Sequence, residues 1–320
     1  MTGRVPPEWG PHELTIMGWP CREELWEDRI DQAREEYAGV ANAIGAFEPV
    51  LMIAPPELVS QARSMLSGDV EVWGAPIDDS WLRDSGPIFV GEEAVCFGFN
   101  AWGGKFAPWD QDATIAPRVC DHLGRPWTRS EMVLEGGSIA IAADGSIITT
   151  EQCLLNPNRN PGWTRERIER ELLDRLGATR VVWLGEGLVE DRDTDGHVDM
   201  ICVPAPGGEV LLQWCEEDDP NFPRMDENRR RLEDAGFPVL LVDVLARDGG
   251  DTLSYLNAYV CNDAVIVPQA GQPELDERAL EVYRLAFPDR VPVGVPAMTI
   301  AFGGGGPHCI TQQVPVLAAP

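Results

Sequence analysis

The sequence predicts an α/β fold of five similar modules, arranged as one pseudo-symmetric propeller that occupies residues 1–320 as a single domain. Three observations predict it. Helical and strand-like segments alternate along the chain. Four helices begin near residues 112, 164, 224 and 273, at intervals of roughly 50 to 60 residues, which suggests a repeated unit. Each follows a hairpin pattern and precedes a short strand, and no Ser/Gly-rich or Pro-rich linker divides the chain. At this period the chain holds five modules, with the fifth shared between its two ends.

The elements follow from periodicity. Residues 31–46 place Ala33, Tyr37, Val40, Ala41 and Ile44 on one helical face. Residues 164–176 do the same with Ile168, Leu172, Leu173 and Leu176, and Gly177 is suited to stop that helix. Further helices are expected over 56–66, 112–122, 225–235 and 273–286. Short apolar runs at 50–54, 70–73, 180–184, 239–244 and 290–295 read as strands. Hairpins are expected at 87–98, at 138–150 about Asp144-Gly145, and at 256–268 about Asn262-Asp263.

Composition narrows the function. With 44% hydrophobic residues the chain can bury a sizeable core. Its 25 Lys and Arg against 53 Asp and Glu leave a net charge of −28. That charge argues against nucleic acid and anionic membranes, and it is compatible with a cationic substrate. The first ten residues lack an apolar signal core, and no apolar run reaches membrane-spanning length. Eight cysteines are scattered without a Cys-x-x-Cys pair, which suits a reducing cytoplasm. Nothing in the composition opposes a homo-oligomer.

The polar motifs sit at matching places on the repeat. Trp81-Leu82-Arg83-Asp84, Glu135-Gly136-Gly137 and Gly196-His197-Val198-Asp199 each precede a hairpin, and Cys309 follows the apolar stretch 298–302. A circular arrangement brings all four to one end of the central axis. Gly303 to Gly306 remove every side chain ahead of Cys309, which leaves its sulfur open to close approach. His197 and Asp199 are two positions apart, on one side if the chain is extended. A cysteine with a distant histidine and acid is the raw material of a thiol nucleophile.

Three carboxylates, Asp84, Glu135 and Asp199, suit a planar cation such as a guanidinium, whose rigid fork of donors matches paired acids. Its central carbon then faces a thiolate, with His197 as the proton-transfer group. No metal and no cofactor is expected: the four histidines lack ligand spacing, and no Lys-Ser/Thr follows the glycines to make a phosphate loop. The other seven cysteines read as small buried hydrophobes, and Asp78-Asp79 and 216–219 as solvated acidic loops.

Five ordered motifs carry a resemblance. These are residues 77–87 (IDDSWLRDSGP), 99–104 (FNAWGG), 134–138 (LEGGS), 196–199 (GHVD) and 308–313 (HCITQQ). Together they resemble the agmatine deiminase family, also called the bacterial peptidylarginine-deiminase-like family, from about His12 to Pro315. The resemblance implies the pentein-type α/β propeller of the guanidine-modifying superfamily. It also implies cofactor-free hydrolysis of agmatine to N-carbamoylputrescine and ammonia, through a covalent amidino-cysteine. It makes Cys309 the nucleophile and His197 the general acid/base. Asp84 and Asp199 then grip the guanidinium, and Glu135 orients either it or His197. The resemblance matches Trp81 to a tryptophan lining the substrate channel, and Trp102 and Asp193 are expected among the substrate-binding residues. Other guanidines, peptidyl-arginine, amidinotransfer or a non-catalytic binding propeller are the alternatives. Gly306 and Pro307 stand where the family has Asn and Ile, and 244–254 is shorter than the family loop. Both changes lie near the substrate entrance, where a cavity widened by losing that Asn and part of a loop could accept a different guanidine compound.

Overall fold

The computed structural model describes residues 3–316, so residues 1, 2 and 317–320 of the expected 1–320 range lie outside the described residues. Five sheets repeat one connectivity: two antiparallel strands, a helix, and a third strand parallel to the second. The second sheet uses Ile88–Val90, Glu93–Gly98 and Trp127–Val133. The third uses Ile139–Ile141, Ile147–Thr150 and Val181–Leu184, and the fourth Cys202–Pro204, Val210–Gln213 and Val239–Val242. The fifth uses Tyr259–Cys261, Ala264–Gln269 and Val291–Pro296.

The first sheet joins the two ends of the chain. Thr311–Pro315 pairs antiparallel with His12–Gly18, which runs parallel to Val50–Ala54 and then Val70–Gly74. The module shared between the termini is therefore present. All five residues of Val50–Ala54 are buried, as befits a parallel strand covered on both faces.

The helices lie where the periodicity places them. Ile30–Gly45 buries Ala33, Tyr37, Val40, Ala41 and Ile44, all five residues of the expected face. Arg165–Leu176 buries Ile168, Leu172 and Leu176 and ends at Gly177, whose φ of 63° is the left-handed stop conformation. The expected helix at 56–66 divides into a 3₁₀ turn at Pro56–Leu58 and the helix Val59–Met65. Residues 245–254 form a two-stranded ribbon, Leu245–Asp248 with Asp251–Ser254, turned by Gly249 and Gly250 at positive φ. Most of the segment 244–254, expected as a shortened loop, is therefore a paired ribbon.

The sheets are separate and not joined strand to strand into a barrel. Their inner junctions close the ring instead. The Gly137 N–H donates to Asp84 Oδ1 at 2.9 Å, linking the second and third junctions. Asn257, in the turn before the fifth sheet, donates to the Asp199 carbonyl at 3.3 Å and accepts from Cys309 N–H at 3.2 Å. The Arg83 N–H then donates to the Cys309 carbonyl at 3.3 Å. Five junctions thus meet around one axis. Asn257 is almost fully buried, so Asn257→Ala strands two polar groups. It should lower stability by about 2 kcal/mol in urea unfolding, whereas an unchanged midpoint would leave ring closure to packing alone.

Candidate active site

Each site residue is delivered by a short turn at the inner end of a sheet. Asp84 sits in the single helical turn Leu82–Ser85, and Glu135 precedes the 3₁₀ turn Gly136–Ser138. Asp199 sits in the 3₁₀ turn Val198–Met200, so the extended stretch imagined for His197 and Asp199 is in fact bent. The loop ahead of His197 is shaped by Asp191, whose carboxylate accepts N–H groups of Thr194, Gly196 and His197 at 3.0 to 3.1 Å. Gly137 is the hub of the site. A Cβ there would lie 2.7 Å from His197 Nδ1, 2.8 Å from Asp199 Oδ2 and 2.9 Å from Asp84 Oδ1.

The thiol of Cys309 lies 3.5 Å from Asp199 Oδ2 and donates to it. His197 is fully buried, with Nδ1 3.9 Å from Asp84 Oδ2 and 4.0 Å from Asp199 Oδ1, and Nε2 3.8 Å from Glu135 Oε2. Neither ring nitrogen has a hydrogen-bond partner, nor has Glu135 Oε2 or Asp199 Oδ1. Buried polar atoms left open in this way are rare in native proteins and mark a place for a ligand. Asp84 is held on both oxygens, by Gly137 N–H and by the Trp102 indole N–H at 2.9 Å.

Electrostatics separates the acids. Burial pushes the Asp84 carboxyl up; His197 opposes that shift, while Asp199 and Glu135 add to it. Burial acts on Glu135 too, yet His197 and Arg159 hold it below the usual range. Asp199 is also held low, by His308 foremost, against the effect of burial. Burial disfavours a charged His197, but Asp84, the Cys153 thiol and Glu135 lift it well above the ordinary histidine value. The Cys309 thiol is pushed well up, by burial and then by Asp199 and Asp84. These directions favour a charged imidazole and oppose ionisation of the thiol.

A cleft of about 360 Å³, counted to its open mouth, leads to Cys309. Trp81, Asp84, Trp102, Asp193, Gly303 and Gly304 are among its walls. Trp81 stacks on Trp26 with ring centres 5.9 Å apart, and a Cβ on Gly305 would meet Trp81 at 2.6 Å and Cys309 Sγ at 3.0 Å. The glycines thus serve different neighbours. Gly306 faces Asn257 Oδ1, 2.7 Å from where its Cβ would stand, and does not line the cleft. Asn257 fills the side that Gly306 faces. Residues 250–252 of the ribbon do border a groove beside Asp193 and Gly304.

Cys309, Asp84, Trp81, Trp102 and Asp193 meet at the cleft, with His197 and Asp199 behind and beside the thiol. Glu135 is withdrawn: it is fully buried, absent from the cleft wall, and paired through Oε1 with Arg159 Nε at 2.7 Å. Asp79 corrects the expectation of a solvated loop. It is buried, lies 2.8 Å from Arg22 Nε and lines the cleft, since the 77–80 segment runs inward toward the axis. Cys153 is buried in the apolar core as expected, and its sulfur also lies within 4.8 Å of ligand atoms of both Glu135 and His197. Glu135, Cys153 and His197 form the one group of potential metal ligands among the described residues, and it shares its members with this site.

Sequence reasoning missed Arg159, Asn257, Cys153 and His308. Only Arg159, in the polar run Asn158-Arg159-Asn160, and His308, beside the nucleophile, carried any local signal.

A buried thiol, an imidazole and paired carboxylates at the hub of a five-module α/β ring define a cysteine-dependent enzyme site for a planar cation. The chain belongs to the Porphyromonas-type peptidyl-arginine deiminase family, whose profile it matches over residues 4–315. It is 39% identical to the agmatine deiminase of Pseudomonas aeruginosa, with 98% of this chain and 95% of that protein covered. It is also 39% identical to that of Stutzerimonas stutzeri, over 97% and 95% of the two chains. The solved structure of the Enterococcus faecalis agmatine deiminase superposes with a TM-score of 0.93 at 33% identity, covering 99% of this chain and 96% of that one.

Gly137→Ala tests the hub. The added methyl forces His197, Asp199 and Asp84 apart, and a shift of that kind costs on the order of a hundredfold in turnover. The expected result is that loss with an unchanged circular-dichroism spectrum; a fully active Gly137→Ala enzyme would refute the hub.

Proposed function

We propose that this protein is an agmatine deiminase, which hydrolyses agmatine to N-carbamoylputrescine and ammonia with Cys309 as nucleophile. The observation that carries the reading is the Cys309 thiol in the cleft wall with Asp84, 3.5 Å from Asp199 Oδ2, while Asp199 Oδ1 has no hydrogen-bond partner. The relatives named agmatine deiminase support the same substrate. At the far end, exposed Asp193 offers a carboxylate to the distal ammonium of the substrate. The nearby cation Lys105 is already engaged, 2.9 Å from Asp195 Oδ1 and donating to the carbonyls of Arg192 and Asp193. It is therefore occupied where an α-carboxylate, as in free arginine, would need a partner.

In this mechanism Asp84 and Asp199 hold two edges of the guanidinium and place its carbon against Sγ. The arriving cation offsets the two carboxylates that keep the thiol protonated, so Cys309 ionises on binding. Sulfur attacks the carbon, and the bond to one terminal nitrogen breaks as His197 gives its proton to the departing ammonia. A covalent amidino-cysteine remains, with the alkyl tail still in the cleft. Neutral His197 then takes a proton from water, whose oxygen adds to the same carbon. The C–S bond breaks and the ureido product leaves. Glu135, fixed by Arg159, orients His197 and favours its charged form. The eight free cysteines suit a cytoplasmic enzyme.

Ammonia and ureido-product assays on agmatine, free arginine, a blocked arginine peptide and simple alkylguanidines test the reading. Agmatine should be turned over well above the rest; turnover of another guanidine alone would sink the substrate and leave the chemistry. Cys309→Ser should lose both turnover and the amidino adduct seen by mass spectrometry after acid quench.

The state of the thiol has its own test. Because the resting thiol sits above its ordinary pKa, inactivation by neutral iodoacetamide should keep rising with pH beyond about 9. A cationic haloacetamidine, which brings its own charge, should react much faster near pH 7. Equal rates and a plateau below pH 8 would mean a preformed thiolate.

A further inference from the structure

Asp84 and Asp199 are both buried beside Cys309, yet burial raises the first carboxyl while the second is held below its usual range. The difference lies behind Asp199. Its Oδ2 is 2.8 Å from His308 Nδ1, and the other ring nitrogen, Nε2, is 2.8 Å from Glu8 Oε2. Two ionised carboxylates can only accept, so both ring nitrogens must donate, and His308 is an imidazolium. Glu8 is itself fixed: Oε1 accepts the Val260 N–H at 2.9 Å, and Oε2 lies 3.9 Å from Arg83 Nη2. His308 and Arg83 hold the Glu8 carboxyl down at about 2, against the effect of burial. The charged groups facing the ring are Glu8 from the N-terminal segment, Asp199 from the turn 198–200, and Arg83 from the turn 82–85.

Behind this clamp lies a second cavity, of about 710 Å³ to its mouth, on the side away from the cleft. Glu8, Arg83, Asp199, His308 and Gln313 are in its wall. An unclamped Asp199 therefore has open space beside it into which it can turn. Because a carboxylate is planar, holding Oδ2 also fixes the direction of Oδ1, which has no hydrogen-bond partner and lies 4.0 Å from His197 Nδ1.

We propose that His308 is a positioning residue: clamped between Glu8 and Asp199, it holds the Asp199 carboxylate ionised and turned toward the substrate's guanidinium. The inference rests on the deiminase reading. It gives Glu8, 300 positions away in sequence and absent from the cleft wall, a part in substrate binding.

Three full-length variants separate the terms. In His308→Asn the amide nitrogen takes the place of Nδ1, keeping a donor for Asp199 without the charge. In His308→Gln it takes the place of Nε2 and leaves Asp199 unheld. Glu8→Gln keeps an acceptor and removes the anchoring charge. KM, kcat and the acid limb of kcat/KM are measured with agmatine, corrected for the active fraction by alkylation of Cys309. His308→Gln should raise KM by at least about tenfold, with a smaller change in kcat, as for loss of one charge-assisted contact. Its acid limb should move to higher pH, because removing the cation raises the pKa of Asp199 and protonation then intervenes sooner. His308→Asn should recover much of KM but keep the shifted limb, and Glu8→Gln should move the limb less in the same direction. Parental KM and limb in His308→Gln, with only a lower melting temperature or active fraction, would overturn the proposal. Calorimetric titration of Cys309→Ser, with and without His308→Gln, using guanidinium chloride between pH 5 and 7 reads the clamp without turnover. If the parent enzyme acts on no guanidine, the deiminase reading falls, and pH-dependent weakening of guanidinium binding in His308→Gln still decides the role of His308.

Discussion

Three carboxylates buried around a single imidazole are the constraint on which the rest of this structure depends. Buried acids are tolerated only when cations or hydrogen-bond donors compensate them. Glu135 has Arg159, and Asp199 has His308. Asp84 has only neutral donors, the Gly137 N–H and the Trp102 indole, with His197 at 3.9 Å. The open Asp199 Oδ1 and the raised Asp84 carboxyl leave the site short of one positive charge on the thiol side. A planar cation supplies it, so the affinity for substrate and the ionisation of Cys309 have one electrostatic origin.

The compensating groups come from far along the chain, which explains the architecture. Arg159 reaches Glu135 from the loop that follows the third sheet's first two strands, and also donates to the Thr194 carbonyl at 2.7 Å, ahead of His197. His308 draws in Glu8 from the N-terminal segment. Asn257 ties the fourth junction to the fifth and to the nucleophile. A ring of five junctions lets each module bring one or two polar groups to the axis, while its apolar strands stay outside. The same ring leaves a cleft at Cys309 and a second cavity at Asp199.

Much of this was legible in the chain. The helical face of Ile30–Gly45 and the stop at Gly177 follow from local periodicity and backbone freedom, and the structure keeps both. The shared terminal module follows from counting a repeat, and the pairing of His12–Gly18 with Thr311–Pro315 realises it. Cys309, His197, Asp84 and Asp199 stood out because reactive side chains occurred at equivalent places in that repeat. Residues 245–254 were harder, since a short ribbon turned by two glycines carries too few residues for a clear alternation.

The sequence by itself determined the module, its period, and the chemical types brought to the axis, because these depend on neighbours within a few residues. Only the tertiary structure decided how the charges are shared. Nothing local says that Glu135 withdraws to Arg159, that Asp79 turns inward to Arg22, or that Gly306 yields its space to Asn257. Each depends on contact between residues remote in sequence. Through such contacts, three carboxylates that look alike in the chain become an anchor for His197, a clamped acid and an acid awaiting a cation.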